Sequence, residues 1–509
     1  MNLKYWPLTS LALLAGCSGT DGPPPVPRLA VMLAPSAQSQ TAREDDSVAT
    51  FTVKASFTGA SKDPILPNVT YDPNLLAQQG DIVRNGNSFE VTFKTLSGLG
   101  ANKYSSAIAF RLCRDAKCGT VYPGSEQSFT YTLDVALNDW TTMQRNPAHT
   151  GYVHATFDPA SFAKAWEFGS ATSVGFRPVA ARAGTVFVSQ NNNAGSASVL
   201  ALNGRDGSEQ WHYSLGASGY YGGPALEGDQ VLISSMTVSS DNNPMTVLKA
   251  DDGQFVRNFI FPAQWSSFAQ PTPYAGRAFI ASGYYGNIVY SFDLASGVPA
   301  WTANGVSGRI WDGEAPAADE RYIYYYSGSL DLFDRATGVL VKSIEDPFWQ
   351  WYGYSYQGGP ILGSTNHVIA YSGTTGGALP LVDYDILNGK YRWRTASGYN
   401  NTPAFAKGVL YAGSTQYHQF DAIDENSGKP LWSWPLPADE SFLGNVVVTD
   451  TLVFFSTNKA VYAVALDGKH ETKWKAPVSG SLAITPDAKL VVSPVQGVTG
   501  AKLTAFSLR

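Results

Sequence analysis

The chain has 509 residues, a formal net charge of −6 and no cluster of Lys and Arg, a balance that argues against a nucleic-acid partner. The length allows two to four domains. Charged residues are 15% of the chain and aromatics 13%, with 49 Gly and 30 Pro, which favours many short strands and turns over helices.

Residues 1–17 read as a targeting segment. Lys4 supplies a short basic region, and Leu8 to Ala15 an apolar stretch too short to span a bilayer as a mature helix. The segment ends Leu14-Ala15-Gly16-Cys17, which resembles the lipobox of bacterial lipoproteins. That resemblance implies acylation of Cys17, which becomes the new N-terminus. Ser18, rather than Asp, after the Cys implies sorting to the outer membrane, facing the periplasm or the cell surface. Residues 18–27, with Asp21-Gly22-Pro23-Pro24-Pro25-Val26-Pro27, form a stiff Pro-rich tether.

Residues 28–137 differ in character. Phe51, Val53, Ala55 and Phe57 alternate with polar residues, as do Phe89, Val91 and Phe93, then Ile108, Phe110 and Leu112, then Phe129, Tyr131, Leu133 and Val135. Period-two alternation in several short runs predicts a β-sandwich. The general pattern resembles bacterial immunoglobulin-like domains. Cys113 and Cys118 flank a four-residue loop, and in an exported protein this pair is expected as a disulfide. Residues 138–153 bridge to the remainder of the chain. His149 and His154 could be read as a metal pair, but no third ligand accompanies them at suitable spacing, so no metal site is expected and the stretch reads as a structural connector.

The rest of the chain repeats one phrase, seen in full at Asp293-Leu294-Ala295-Ser296-Gly297-Val298-Pro299-Ala300-Trp301. The Asp side chain can accept from N–H groups two or three residues on, which starts a tight turn. The Gly takes φ > 0 and closes the hairpin with a bulge. The Trp returns on the next strand with a large face to bury. Further copies lead to Trp211, Trp393, Trp432 and, with a shortened turn, Trp474; Asp334 to Gly338 and Asp251 to Gly253 keep the turn without the Trp. A Pro followed by a β-branched or aromatic run precedes most copies by about twenty residues. Eight copies at roughly 38–47 residues fall within the range of propeller blades. The last run, Leu503 to Leu508, lacks a returning partner, and Phe162 to Phe168 at the front supplies one. The expectation is an all-β chain: an eight-bladed β-propeller over 138–509, closed by its two ends and preceded by a small β-sandwich.

The repeated phrase resembles that of quinoprotein-type β-propellers, the PQQ-like repeats, over roughly residues 155–509. The resemblance implies that Trp211, Trp301, Trp393, Trp432 and Trp474 are structural, each docking between neighbouring blades. Two branches of that family differ in function. Quinoprotein dehydrogenases typically use pyrroloquinoline quinone with Ca²⁺, many with a disulfide of adjacent Cys over the cofactor; this propeller has no Cys, and no catalytic residue or cofactor ligand maps onto it. The propeller lipoprotein of the outer-membrane β-barrel assembly machinery shares the lipobox and the repeat, though not the extra sandwich.

The expectation is therefore a lipid-anchored, monomeric, non-catalytic envelope protein without cofactor that binds a protein or glycan. The alternative is a quinone-dependent dehydrogenase. Segments that join one blade's outer strand to the next blade's inner strand share one face of a propeller. Here they carry Arg177, Tyr221, Trp265, Arg309, Trp311, Asp312, Glu314, Trp349, Trp351, Tyr352 and Tyr399, a mix of aromatics and charges that suits a binding surface.

Overall fold

The structure, a computed structural model, describes residues 26–45, 49–171, 173–192, 196–217, 220–236, 242–262, 270–282, 287–309, 315–351, 359–373, 378–494 and 500–509. Cys17, and the tether up to residue 25, lie outside the described residues. The described chain is almost entirely strand; none of its helices is long and apolar enough to cross a membrane. It divides into two compact units.

The first unit takes in described residues of 26–40, 49–97 and 103–133. One sheet runs Ala30–Ala34, Thr50–Thr58, Ser88–Thr95 and Leu76–Gln78, and a second runs Ala37–Arg43, Gln127–Ala136, Lys103–Cys113 and Leu66–Thr70. The alternating apolar residues of both sheets meet. Phe51 stacks on Phe93 at 5.5 Å within its own sheet and on Tyr131 of the other sheet at 4.6 Å. Cys113 and Cys118 form a disulfide. Cys118 sits in the loop itself, at φ +57°, not on a second strand. Asp115 shapes that loop by accepting from the N–H groups of Lys117, Gly119 and Thr120.

The second unit adds residues 41–45 and 98–102 to 134–509, a grouping that the alternation pattern does not separate. Among the described residues it holds eight antiparallel sheets. The first blade comprises Ser173–Phe176 with Ala180–Arg182, then Thr185–Asn192, Ala197–Asn203 and Glu209–Gly216. Blade two ends in Phe255–Phe261, blade three in Pro299–Asn304, blade four in Leu340–Glu345, blade five in Lys390–Tyr399, blade six in Pro430–Pro435 and blade seven in Thr472–Ala476. Blade eight joins the two ends of the array: Ser481–Ile484, Lys489–Ser493 and Leu503–Ser507 are completed by Ala163–Phe168, which pairs antiparallel with the last strand.

The repeated phrase folds as its chemistry dictates. Asp293 accepts from the N–H groups of Ala295 and Ser296, the Gly297 N–H donates back to the Asp293 carbonyl, and the register shifts by a bulge at Ser291/Phe292. The Ser296 N–H and hydroxyl hold the Asp293 carboxyl below the ordinary carboxylate range. The Gly does more than turn the chain. A Cβ on Gly338 would lie 2.6 Å from Trp301 of the preceding blade, and one on Gly428 would lie 2.6 Å from Trp393. Four of the Trp lie on the next blade's turn while the Nε1–H donates to a carbonyl there: Trp166 to Gly204, Trp211 to Ala250, Trp301 to Arg335 and Trp393 to Glu425.

Where the Trp is missing, a cation replaces it. Arg257 of blade two lies against Gly297, and Lys342 of blade four donates to the carbonyls of Ile386 (2.7 Å) and Leu387 (3.1 Å). In blade seven the positive φ moves to His470, on which Trp432 stacks at 4.1 Å; Trp474 packs on Phe162 and Phe506 of blade eight.

Trp393→Ala removes a buried indole and leaves the Glu425 carbonyl without its donor; it is expected to destabilise the propeller by about 3–5 kcal/mol, with Lys342→Ala costing less. Equilibrium urea unfolding of both variants checks this, and a loss under about 1 kcal/mol for Trp393→Ala would show that the inter-blade contact is dispensable.

Candidate binding face and plugged channel

The stretch that reads as a connector is the hub of the second unit. Between Trp140 and Val153 it visits the inner strands of seven successive blades. Trp140 exchanges backbone hydrogen bonds with Ala181 of blade one; the Thr141 carbonyl accepts from Leu226 of blade two; the Thr142 hydroxyl donates to the Pro271 carbonyl before blade three. The carbonyls of Pro147, Ala148, Thr150 and Gly151 then accept from Ala318, Leu362, Phe405 and Val448 of blades four to seven. These donors would otherwise face the channel unpaired, a costly state for buried backbone. Gly151 is required here: at φ +62° its Cβ would sit 2.8 Å from the Gln144 amide and 2.9 Å from the Val446 carbonyl.

A buried carboxylate clips the two ends of this plug together. Glu44, fully buried, accepts from the N–H groups of Asn138 (2.6 Å) and His154 (2.8 Å) and forms an ion pair with Arg145. His154 lies 2.7 Å from Asp45 and 3.7 Å from Asp450. His149 is fully buried at the centre of the plug, with Nδ1 2.9 Å from the Pro360 carbonyl and Nε2 3.4 Å from the Thr272 hydroxyl. The two histidines thus serve the connector separately, and no cluster of three or more candidate metal ligands occurs among the described residues.

The predicted face residues separate into three groups. Trp265, Trp311, Asp312, Glu314 and Tyr352 lie outside the described residues. Tyr399 is a correction: it is 1% exposed, with its hydroxyl donating to Asp421 inside blade six, so it supports the fold rather than a surface. Tyr221 is also fully buried, its ring 4.9 Å from the Arg177 guanidinium.

Arg309, from the segment that leads into blade four, reaches Trp349, which stands with Trp351 in the aromatic segment after blade four. Asp346 anchors that segment, accepting from the Tyr326 hydroxyl and the Phe348 N–H. Arg309 lies 5.3 Å over the Trp349 ring and 3.6 Å from the Glu345 carboxylate. Trp349 is half-buried against the core of blades four and five, whereas the sequence expectation puts it at the surface together with Trp351. Trp351 is 48% exposed. Beside them, Phe348 meets the Tyr391 ring edge-on at 5.0 Å, and Arg394 covers its face at 5.3 Å. The result is an aromatic and cationic cluster, with an exposed ring at Trp351, suited to anchor a partner.

The second unit is a β-propeller built from PQQ-like repeats, with its channel filled by its own connector. The chain belongs to the family described as outer membrane protein assembly factor BamB, whose model matches residues 149–278 and 380–509. Among solved structures it is similar to BamB from Moraxella catarrhalis (16% identity, 68% of this chain and 98% of that one, TM-score 0.49). It is also similar to quinohemoprotein alcohol dehydrogenase from Comamonas testosteroni (12% identity, 72% and 80%, TM-score 0.45) and to the WD40 propeller domain of Doa1 (10% identity, 68% and 97%, TM-score 0.41). No curated protein sequence matches the chain.

The quinone-dependent alternative can be weighed on the donor set. A cavity of about 250 Å³ remains in the channel above the plug, and no Asp or Glu among the described residues lines it. Calcium takes oxygen ligands dominated by carboxylates, so these residues do not fit a calcium–quinone pair.

Burial pushes the His149 imidazole down to about 4. The unfolded chain, with an ordinary imidazole near 6.5, then binds the extra proton between about pH 6.5 and 4 while the folded protein does not. Stability contributed by this group is complete above pH 6.5 and falls by about 3 kcal/mol as pH drops to about 4. Comparing urea unfolding of the wild type and His149→Gln from pH 7.5 to 4 should show a shallower acid decline in the variant. Parallel curves would mean that His149 does not carry the effect.

Proposed function

We propose that this protein is a lipid-anchored, non-catalytic scaffold of the cell envelope, which binds a protein partner through the blade-connecting face around Arg309, Trp349 and Trp351. The observation that carries this reading is membership of a family described as an outer-membrane protein assembly factor. Two features support it. The channel is given over to the connector, which leaves little volume for a large buried substrate. The aromatic segment leaves blade four at the end of its outer strand that lies away from the Asp334–Gly338 turn, and the Trp351 ring there is 48% exposed. Cys17 would hold the chain on the outer membrane, with the Pro-rich tether as spacer. The sandwich preceding the propeller would be an immunoglobulin-like module of the same mature chain.

Trp351→Ala should weaken partner capture at least tenfold with an unchanged melting temperature, since the ring is half exposed. Trp349→Ala should lower both, because this ring also packs on the core. Affinity capture of outer-membrane assembly proteins, with thermal unfolding in parallel, measures both quantities. Wild-type recovery by both variants would remove this face from the proposal. Stoichiometric pyrroloquinoline quinone binding with dye reduction would overturn the non-catalytic reading.

In cells making Cys17→Ser, the protein should leave the membrane fraction. Retention of that variant at wild-type level would refute the anchor.

A further inference from the structure

The channel cavity has a chemical character of its own. Trp140 and Gln144 of the plug form part of its floor, and Arg177, Gln270 and Asn445 stand in its wall. Most of the polar wall is already committed. The Gln144 amide donates to the Pro403 and Val446 carbonyls, that of Gln270 to the Pro224 carbonyl at 2.8 Å, and that of Asn445 to Gln144 at 2.6 Å and the Leu482 carbonyl at 3.0 Å.

Arg177 differs. Its backbone is pinned on both sides, the N–H donating to the Ser189 carbonyl at 2.9 Å and the carbonyl accepting from the Ser493 hydroxyl at 2.7 Å. Its guanidinium rests on the buried Tyr221 ring, and its Nε is buried with no acceptor among the described residues. Among the described residues, no carboxylate lines the cavity. Arg177 as a whole is only partly buried, but a guanidinium keeps its charge, and its buried Nε–H gains from an acceptor. Burial accordingly lowers the Arg177 pKa from its ordinary value.

We propose that this cavity binds a small organic carboxylate, with Arg177 as the anchoring cation. The planar fork of a guanidinium matches a carboxylate with two parallel hydrogen bonds, and Trp140, Pro178, Val179 and Leu482 supply apolar lining for the body of the ligand. At about 250 Å³, the cavity lies below the range usual for drug-sized ligands, which limits the occupant to a compact molecule. The site goes beyond the scaffolding reading, because it faces the channel and uses neither Trp349 nor Trp351.

The test is calorimetric titration of the purified full-length protein with benzoate, succinate and inorganic phosphate, with intrinsic Trp fluorescence followed in parallel. At least one carboxylate should bind the wild type below 1 mM and more tightly than phosphate. Arg177→Gln should weaken it at least tenfold, and Arg177→Lys, which keeps the charge but not the fork, by a smaller factor. Three outcomes would overturn the proposal: neither carboxylate binding the wild type at 10 mM, phosphate binding as well as the carboxylates, or a folded Arg177→Gln binding as tightly as the wild type. Should Arg177→Gln fail to fold, wild-type binding with the Arg177→Lys comparison decides, and equal affinity in Arg177→Lys counts against the fork.

Discussion

Six junctions between blades are held by a side chain that leaves one outer strand and lies on the Asp–Gly turn of the neighbour, from Trp166, Trp211, Arg257, Trp301, Lys342 and Trp393. The contact constrains both partners at once. The Trp needs a turn without a Cβ beneath its ring and a carbonyl within reach of its N–H; the turn needs a Gly for its positive φ and gains a cover that excludes water. A four-stranded antiparallel sheet alone leaves apolar faces uncovered. Stacking such sheets with a fixed inter-blade contact buries those faces pairwise, and pairing of Ala163–Phe168 with Leu503–Ser507 removes the free edges that an open stack would leave.

The connector supplies a second constraint at the axis. Inner strands converge there with backbone groups that need partners, and one segment satisfies donors from blade after blade in chain order. The Glu44–Arg145 pair closes that segment into a loop inside a dry environment, where loss of one partner is far more damaging than the net worth of the pair suggests. With the outer strands engaged in the inter-blade contacts and the axis in the connector, the proposed recognition surface is the blade-connecting face. Its Arg309, Phe348, Trp349 and Arg394 brace one another through ring and guanidinium contacts, so the exposed ring of Trp351 rises from an ordered base.

The blades were legible in the sequence because the Asp, Gly and Trp of each phrase act locally, within one hairpin. Ring closure followed from an unpaired last strand. Blades two and four gave only half the signal, since Arg257 and Lys342 reach the neighbouring turn by a different chemistry at the position of the missing Trp. The plug was not legible. Residues 138–153 look like a linker because their partners lie as far as 302 residues away along the chain, as between Gln144 and Val446. Tyr221 and Tyr399 read as surface aromatics, but nothing local in a connecting segment reveals whether a ring turns outward or back into the sheet; the partners that decide it, Arg177 and Asp421, are distant or on another strand.

The central claim is that recognition occurs on the blade-connecting face and not on the face of the Asp–Gly turns. Site-specific photocross-linking in living cells, with the reactive residue placed at Trp351 in one strain and at the exposed turn residue Ala295 in another, tests it most directly. The account predicts a discrete adduct with an envelope protein from position 351 and none from position 295. An adduct from position 295, with position 351 silent, would contradict it.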